Sequence, residues 1–483
     1  MLKRLVKMTA GHGVGYWAGP LLSLIFTPII TRILSPGDYG IADYFASVGL
    51  ALRSLTLLAL PQAVAGHFND QPDIAWRRSV TGSALVLTLL SGTLAGGIVF
   101  ALAPVLAGLT PMTRDYTHLF RILGATLVFG LGSPLVINVA QLALQARWML
   151  WLSLTQLAAL ALGNTLFIII LRWGVTGMVL VPIAVYAATY VAGLALVRPL
   201  IGWPELRVSH LLLRAGVTLV PAAMAGWALQ VADRLILAQY VSPEELGYYS
   251  IATRVANLLF VAITPLFASY TSLALSIQHD PEARQRYATG ARYLTALVRL
   301  GGLGLGLFAR EILTLLTHAA YVPAAVYVGY LTYLHAFGAM YNILYIGGMA
   351  GKEFGKLSAA LLLSAVVNIS LCFILVPMYR VWGVTTASFV GSAVLPIALY
   401  WWLKKRYPVP YPVGKIGAAV LVQFTLLLVA VFIPPLALPA AIGVKLGLWL
   451  ILPLAYLVIG MITLPEMERS WQLARRYLAA GRN

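Results

Sequence analysis

Charged side chains inside apolar stretches are the part of this sequence that could do chemistry. Asp43 and Arg53 interrupt one such stretch, and Asp233 and Arg254 interrupt two others. A charge in hydrocarbon is costly, so it faces a water-filled cavity or a partner. Arginine offers a planar fork of donors that matches phosphate oxygens, and an intramembrane carboxylate can couple to a proton or Na⁺. These residues predict a cationic site for a phosphate-bearing cargo, next to a group that couples to ions.

The polar residues of the second apolar stretch follow helical spacing. Asp43, Ser47 and Ser54 fall on one helix face, although Leu50 interrupts that face, and Arg53 lies beside it. A shift of 207 residues moves Asp43, Ser47, Leu50 and Ser54 to Ser250, Arg254, Asn257 and Val261. Two broken polar faces of this kind are what a cavity between two lobes requires. The predicted cargo-binding residues are Arg53, Arg254, Arg32, Asn257 and Ser47, and the predicted ion-coupling residues are Asp43 and Asp233.

The same charges also have a structural interpretation. Each arginine would then pair with a nearby acid such as Asp43 or Asp233, and Asp233 would form a static ion pair with Arg234 or Arg254. The seven histidines show no metal-ligand spacing, and no polar connection is long enough for a soluble catalytic domain. The sequence therefore predicts no catalytic residues, no metal site and no cofactor other than a coupling H⁺ or Na⁺.

Long apolar segments must position these residues. The chain has 483 residues, of which 60% are hydrophobic and 10% charged, and its mean hydropathy is +0.87. A membrane-spanning helix needs about 20 mainly apolar residues. Because each apolar segment is a continuous run, helices are indicated rather than a barrel of alternating strands. The fourteen predicted spans are 12–34, 41–63, 79–108, 117–143, 148–171, 174–200, 213–239, 247–275, 291–317, 324–348, 357–377, 382–403, 415–437 and 443–464.

The basic residues follow a membrane topology. The net charge of +18 would suit a nucleic-acid partner, but most of the 33 Lys and Arg residues fall in every second connection. The positive-inside rule then places both termini in the cytoplasm, with an uncleaved first span, and it counts Arg299 among the cytoplasmic charges. We therefore expect a multi-pass membrane protein and no nucleic-acid partner.

The chain contains an internal repeat. Residues 34–40 and 241–247 share a Ser-Pro pair, an acidic residue and a glycine, and Trp-Gly-Val-Thr occurs at 173–176 and again at 382–385. The two offsets, 207 and 209 residues, nearly agree, which indicates a duplicated unit of six spans. Two such halves, each entered from the same side, are expected to enclose a substrate path near the bilayer midplane.

The predicted fold class is an all-α polytopic membrane protein of about 14 transmembrane helices, with two pseudo-symmetric six-helix bundles plus two C-terminal helices. We place the N-terminal bundle at 1–205 and the C-terminal bundle at 206–406. Residues 407–483 hold the two additional helices and a cytoplasmic amphipathic tail. That tail, from Glu466 to Asn483, mixes aromatic residues with arginines, which is typical of an interfacial helix.

Three segments resemble one family. Thr31-Arg32-Ile33-Leu34-Ser35-Pro36-Gly37-Asp38-Tyr39-Gly40 resembles the opening signature of bacterial polysaccharide-biosynthesis flippases. These are the O-antigen and exopolysaccharide exporters of the multidrug/oligosaccharidyl-lipid/polysaccharide exporter superfamily. Residues 233–237 with 245–250 are similar to that family's seventh-to-eighth span segment, and residues 376–377 with 382–384 to the start of its twelfth span. The related lipid II flippases carry arginine in the first span, whereas residues 13–31 here contain no charge, which disfavours that assignment.

The resemblance implies a flippase that moves an undecaprenyl-diphosphate-linked oligosaccharide from the cytoplasmic to the periplasmic leaflet. The resemblance also implies alternating access, coupling to an ion gradient and a cationic central cavity for the diphosphate. It also implies the bacterial cytoplasmic (inner) membrane as location. The expected partners are the lipid-linked oligosaccharide, membrane lipid, a polysaccharide polymerase and other assembly proteins.

Two other functions are compatible with a polytopic chain. A drug or metabolite cation antiporter of the same superfamily would favour acidic groups in its cavity, whereas this sequence offers at least two basic ones. A membrane glycosyltransferase or ligase would be expected to carry a substantial outer loop or paired acids in one. The longest connections, around 64–78 and 276–290, are modest, so we expect a transporter rather than an enzyme.

Overall fold

The computed structural model describes residues 22–278, 280–433, 437–463 and 465–466, and every regular element in these residues is a helix. Two helices, α6 and α8, continue into π-helical turns at Asn164–Ile170 and Ala228–Ala232. The helices are α1 (Leu22–Ile33), α2 (Pro36–Thr56), α3 (Leu60–His67), α4 (Ile74–Ala107), α5 (Thr117–Leu142), α6 (Ala146–Gly163), α7 (Gly174–Val197), α8 (Leu206–Trp227), α9 (Asp233–Leu237), α10 (Pro243–Ser276), α11 (Ala283–Leu307), α12 (Ala309–Leu316), α13 (Ala325–Ala350), α14 (Phe354–Leu403), α15 (Val413–Val431) and α16 (Leu438–Ile459).

Each of the fourteen predicted spans corresponds to helix in the described residues. Eight helices are long and apolar enough to cross a membrane, and the number rises to ten when each of two bent pairs is taken as one span. One pair is α2 with α3, bent by 42°, and the other is the run Leu206–Leu237, bent by 46° after Pro221. The predicted all-α polytopic class is confirmed. The first predicted span is described only from Leu22, and the predicted amphipathic tail beyond Glu466 lies outside the described residues.

The eleventh and twelfth predicted spans form one helical hairpin, α14. Arg380 has a φ of 49°, which breaks the helix between the two arms. Gly383 lies where any Cβ would overlap the carbonyl oxygen of Leu375, so the arms approach closely next to the break. Further along, the Ser364 hydroxyl donates to the carbonyl oxygen of Gly391 at 2.8 Å. The two arms therefore pack antiparallel, as two separate spans do.

The two halves begin a helix in the same way. Ser35 caps α2 and Ser242 caps α10, each in a capping box with the acid three residues later, and a proline follows each serine. The box satisfies backbone N–H groups that have no partner at a helix start, and proline lacks an N–H at that position. We name this end of the bundle the Ser35 end.

The halves touch at the Ser35 end through two glycines. A Cβ on Gly247 would overlap the carbonyl oxygen of Pro36, and a Cβ on Gly40 would overlap that of Pro243. Only glycine permits this approach of the α2 and α10 backbones. The hydroxyl of Tyr321 also donates to the carbonyl oxygen of Leu34 at 2.8 Å. The protein is therefore closed at the Ser35 end.

Helices pack both within the two predicted halves and between them, since α2 packs against α10 and α8 packs against α3 and α4. In the first half, named the N-lobe (α1–α7), α5 packs against α4 and α7; in the second half, named the C-lobe (α8–α14), α13 packs against α10, α11 and α14. Helices α15 and α16 lie outside the repeat and pack against α11. Large apolar side chains remain exposed on the outside, as Leu94 on α4 and Val458 on α16 do, which is typical of a surface that faces lipid.

Candidate functional site

An ion cluster joins the two lobes near the Ser35 end. The Nε of Arg234 lies 2.9 Å from Oδ2 of Asp43, and its Nη1 lies 3.4 Å from Oδ1 of Asp233. Asp43 belongs to α2 of the N-lobe, whereas Asp233 and Arg234 begin α9 of the C-lobe. Asp233 is buried, and the side chain of Arg234 is only 12% exposed. Arg234 therefore forms an ion pair with both predicted ion-coupling acids, Asp43 and Asp233.

The π-helical turn before α9 helps to hold this arginine. The regular hydrogen-bonding pattern is displaced by one residue in such a turn, which is a frequent feature of functional sites. The Nη1 of Arg234 donates to the carbonyl oxygen of Gln230, within the turn, at 2.7 Å. Within the same cluster, the Tyr249 hydroxyl donates to Oδ2 of Asp233. The backbone turn and the two acids thus set the position of the guanidinium together.

Further polar contacts cross between the lobes beside the cluster. The Ser250 hydroxyl donates to Oδ2 of Asp43 at 2.7 Å. The Nη1 of Arg254 donates to the hydroxyl of Tyr39 at 2.5 Å, and its Nη2 donates to the hydroxyl of Ser23 at 3.2 Å. Arg254 forms no salt bridge with any residue that the structure describes. Its charge is therefore hydrogen-bonded but not neutralised.

Arg53 lies in a separate chamber inside the N-lobe. Its guanidinium carbon lies 4.2 Å from the centre of the Tyr186 ring, a cation–π contact, and its stem packs close to Gly130. The chamber has a volume of about 80 Å³ and is bounded by α2, α5 and α7. Among the residues that the structure describes, no acid lines this chamber and none forms a salt bridge with Arg53. We name it the Arg53 chamber.

A second chamber opens between the lobes. It has a volume of about 230 Å³ and is bounded by α2 and α3 on one side and by the Leu206–Leu237 run on the other. Leu50 lines both this chamber and the Arg53 chamber. We name it the inter-lobe chamber; its polar lining residues are Ser54, Gln62, Trp227 and Gln230.

The structure brings some of the predicted site residues together and leaves others apart. Asp43, Asp233 and Arg254 meet at the contact between the lobes, and Ser47 is buried on α2. Arg53 lies in its own chamber, while Arg32 and Asn257 have exposed side chains. The predicted polar face therefore divides into an ion cluster near the Ser35 end and two chambers further along α2.

Two residues of the interior lay outside the predicted site. Arg234 was predicted only as a partner of Asp233, yet it is the centre of the cluster. Arg299 was assigned to the cytoplasmic side, and that assignment is wrong: its side chain is 1% exposed in α11, and its Nη1 donates to Oε1 of Gln423 on α15 at 3.0 Å. Its place within the apolar stretch 291–317 was the signal that could have located it.

The fold is shared with solved multi-span membrane proteins. It is similar to the lipid II flippase MurJ in an inward closed conformation, with a TM-score of 0.71 and 13% identity over 94% of this chain and 99% of that chain. It is also similar to an inward-facing multidrug resistance MATE family transporter of the MOP superfamily, with a TM-score of 0.67 and 14% identity over 84% of this chain and 97% of that chain. A MOP superfamily transporter from Pyrococcus furiosus matches with a TM-score of 0.58 and 17% identity, over 84% and 95% of the two chains.

These identities show a shared fold, and the sequence identifies the family. The profile of the family described as polysaccharide biosynthesis protein matches residues 29–325, more than half of the chain. The chain belongs to this family, which confirms the resemblance seen in the segments around Ser35 and Asp233. No curated protein matches the chain.

Proposed function

We propose that this protein is a flippase for an undecaprenyl-diphosphate-linked oligosaccharide. The observation that carries the proposal is the distribution of charge in the described interior. Asp43 and Asp233 both pair with Arg234, while Arg53 and Arg254 have no acidic partner. The structural interpretation of the two arginines required these acids as their partners. A cation in hydrocarbon without a counter-charge is costly, and an anionic cargo would supply the missing negative charge.

Alternating access agrees with the state of the bundle. The Ser35 end is closed by the two glycine contacts, by Tyr321 and by the ion cluster. The positive-inside rule supports placing this end in the periplasm and both termini in the cytoplasm of a bacterial cell. Cargo would then enter from the cytoplasmic leaflet of the inner membrane and leave when the lobes part at the Ser35 end. Membrane lipid and a polysaccharide polymerase are the proposed partners.

The ion cluster offers a route for coupling to an ion gradient. Protonation of Asp43 would remove its negative charge and its attraction to Arg234, across the contact between the lobes. Na⁺ bound by Asp43 or Asp233 would compete with the guanidinium for the same oxygens. Either event would weaken closure at the Ser35 end. We therefore propose both acids as ion-coupling groups.

The two chambers favour an anionic cargo over a cationic one. A drug or metabolite cation antiporter would need acids in its chamber walls, and the described residues that line these two chambers include Arg53 and no acid. A glycosyltransferase or ligase remains the lesser proposal. It would be supported if the purified protein formed a glycosidic product.

Transport by liposomes that contain the purified protein tests the proposal. The probe is a fluorescent polyprenyl-diphosphate-linked sugar, and its transfer between leaflets is followed by quenching with a membrane-impermeant reductant. We expect Arg53→Ala and Arg254→Ala each to slow transfer at least tenfold, because each removes a charged donor to the diphosphate. Arg406→Ala is the matched control, since Arg406 is a 73% exposed surface residue.

Wild-type rates in both Arg53→Ala and Arg254→Ala, at equal protein content, would remove the cationic-site proposal. No transfer by the wild-type protein, together with transfer of a cationic dye, would favour the antiporter.

A further inference from the structure

The inter-lobe chamber is lined by uncharged polar side chains to which the proposed diphosphate site assigns no role. Its polar walls are Ser54 and Gln62 from the N-lobe and Trp227 and Gln230 from the C-lobe, and none of the lining residues that the structure describes carries a charge. Beside it, across Leu50, lies the Arg53 chamber with its uncompensated cation. A neutral polar chamber next to a cationic one matches a cargo in which an uncharged polar group is joined to a phosphate.

The chamber is large enough for a ring. Its 230 Å³ exceeds the roughly 10–15 Å³ that one water requires by more than tenfold. Trp227 supplies a broad apolar ring face, while Ser54, Gln62 and Gln230 supply hydroxyl and amide groups. A sugar ring has the complementary surface, because its C–H face is apolar and its rim carries hydroxyl groups that both donate and accept hydrogen bonds.

Trp227 also has an unused donor. Its indole nitrogen is buried and has no hydrogen-bond partner in the described chain. The Gln230 amide nitrogen, in contrast, donates to the carbonyl oxygen of Gly226 at 3.2 Å. Because that nitrogen is buried, a guest in the chamber would contact the accessible part of the Trp227 ring rather than the indole N–H.

We propose that the inter-lobe chamber binds the sugar attached to the diphosphate, and that it selects an uncharged sugar. The proposal rests on the flippase function and refines it. A sugar acid such as a uronic acid would place a carboxylate against walls whose described residues include no cation, and an unpaired charge is expensive to bury. Contact with Trp227 and the two glutamines therefore determines specificity, whereas Arg53 serves the phosphate.

Binding of three short-chain probes to the full-length protein in detergent tests the proposal. The probes are farnesyl diphosphate, farnesyl-diphosphate-linked glucose and farnesyl-diphosphate-linked glucuronic acid. The glucose probe should bind wild-type protein about tenfold more tightly than farnesyl diphosphate, the gain expected from one ring contact and one or two hydrogen bonds. The glucuronic acid probe should show no gain.

The variants separate the sugar contact from the phosphate contact. Trp227→Ala should abolish the gain from glucose and leave the affinity for farnesyl diphosphate unchanged, and Trp227→Phe should keep part of the gain. Arg53→Ala should weaken all three probes. Trp151→Ala, on an exposed tryptophan of α6, should behave as wild type. If Trp227→Ala does not fold, Gln62→Ala serves in its place, since the exposed Gln62 side chain lines the same chamber.

The outcomes distinguish this proposal from the proposed function. An equal affinity of wild-type protein for the glucose and sugar-free probes, or a gain that survives both Trp227→Ala and Gln62→Ala, overturns the sugar site. A gain of equal size with glucuronic acid overturns the selection for uncharged sugars. Binding of farnesyl diphosphate that does not depend on Arg53 counts against the flippase site itself, whatever the sugar contributes.

Discussion

Asp43 and Ser250 lie 207 residues apart in the chain, and their side chains form a 2.7 Å hydrogen bond. The same interval separates the capping residues Ser35 and Ser242. It also separates Gly40 and Gly247, and these two glycines lie against each other where the lobes meet. Positions that correspond in the repeat are thus in contact at its symmetry axis. Polar groups at this place hold the Ser35 end closed, and the proposed alternating access requires them to separate.

Replacement of Asp43 by Asn should open the Ser35 end. Asn keeps the size of the side chain and can still accept a hydrogen bond from Ser250, so the variant removes mainly the charge that faces Arg234. A contact to a charged group of this kind contributes about 2 kcal/mol, which is roughly a thirtyfold change in the ratio of closed to open molecules. Spin labels at the exposed positions Asp115 and Leu315, with Cys372 replaced by Ala, would report longer distances by pulsed electron resonance.

Asp70→Asn is the matched control for that experiment. Asp70 pairs with His67 on the surface, with a side chain 46% exposed, so its loss should leave the distance distribution unchanged. Identical distributions for Asp43→Asn and wild type would show that the ion cluster does not contribute to closure.

An added methyl group at Gly247 should have the same consequence by a steric route. The Cβ of Gly247→Ala would overlap the backbone carbonyl of Pro36, which cannot rotate away as a side chain could. Overpacking of this kind costs about 1–3 kcal/mol in the closed state. We expect longer label distances at the Ser35 end and slower lipid transfer.

Gly338→Ala on α13 provides the comparison, because a Cβ there has no heavy atom within 4 Å. Equal label distances for Gly247→Ala and Gly338→Ala would mean that the lobes do not depend on the glycine contact.

Arg254→Lys should retain only part of the transport activity. The guanidinium of Arg254 reaches Tyr39 and Ser23 with two different nitrogens, whereas the ammonium of lysine is a compact point charge without the planar fork. We expect a transfer rate between those of wild type and Arg254→Ala, measured in the same liposomes. A wild-type rate for Arg254→Lys would indicate that charge alone is sufficient there.

The sequence allowed the helical class and the family to be predicted, but not the geometry between lobes. Helical spacing placed Asp43 on a polar face, and the repeat related it to Ser250. Their contact depends on how two bundles rotate against each other, which no local pattern encodes. The π-helical turn that brings Gln230 to Arg234 was equally hidden, because the residues around it read as an ordinary apolar helix.

The depth of Arg299 was missed for a simpler reason. The predicted ninth span began at residue 291, whereas α11 begins at Ala283. Arg299 is therefore sixteen residues beyond the helix start, or about 24 Å along its axis. At that depth Arg299 packs among Tyr333, Phe337 and Met340 of α13. Because the predicted start of the ninth span was two helical turns too late, Arg299 was taken for a surface charge although it lies in the interior.

Replacement of Gln423 by Leu should destabilise the attachment of α15 to the C-lobe. Gln423 accepts a hydrogen bond from the fully buried Arg299, which has no salt bridge in the described chain, so the variant would leave a buried cation with one acceptor fewer. The loss should cost about 2 kcal/mol and lower the midpoint of thermal unfolding of the detergent-purified protein. Gln285→Leu, on an exposed glutamine of α11, should not change this midpoint.

The double variant Arg299→Met with Gln423→Leu removes the charge together with its partner and should recover much of the stability, because apolar side chains of similar size replace a buried polar pair well. If the double variant were less stable than Gln423→Leu alone, Arg299 would have to stabilise the interior through its aromatic neighbours rather than through α15.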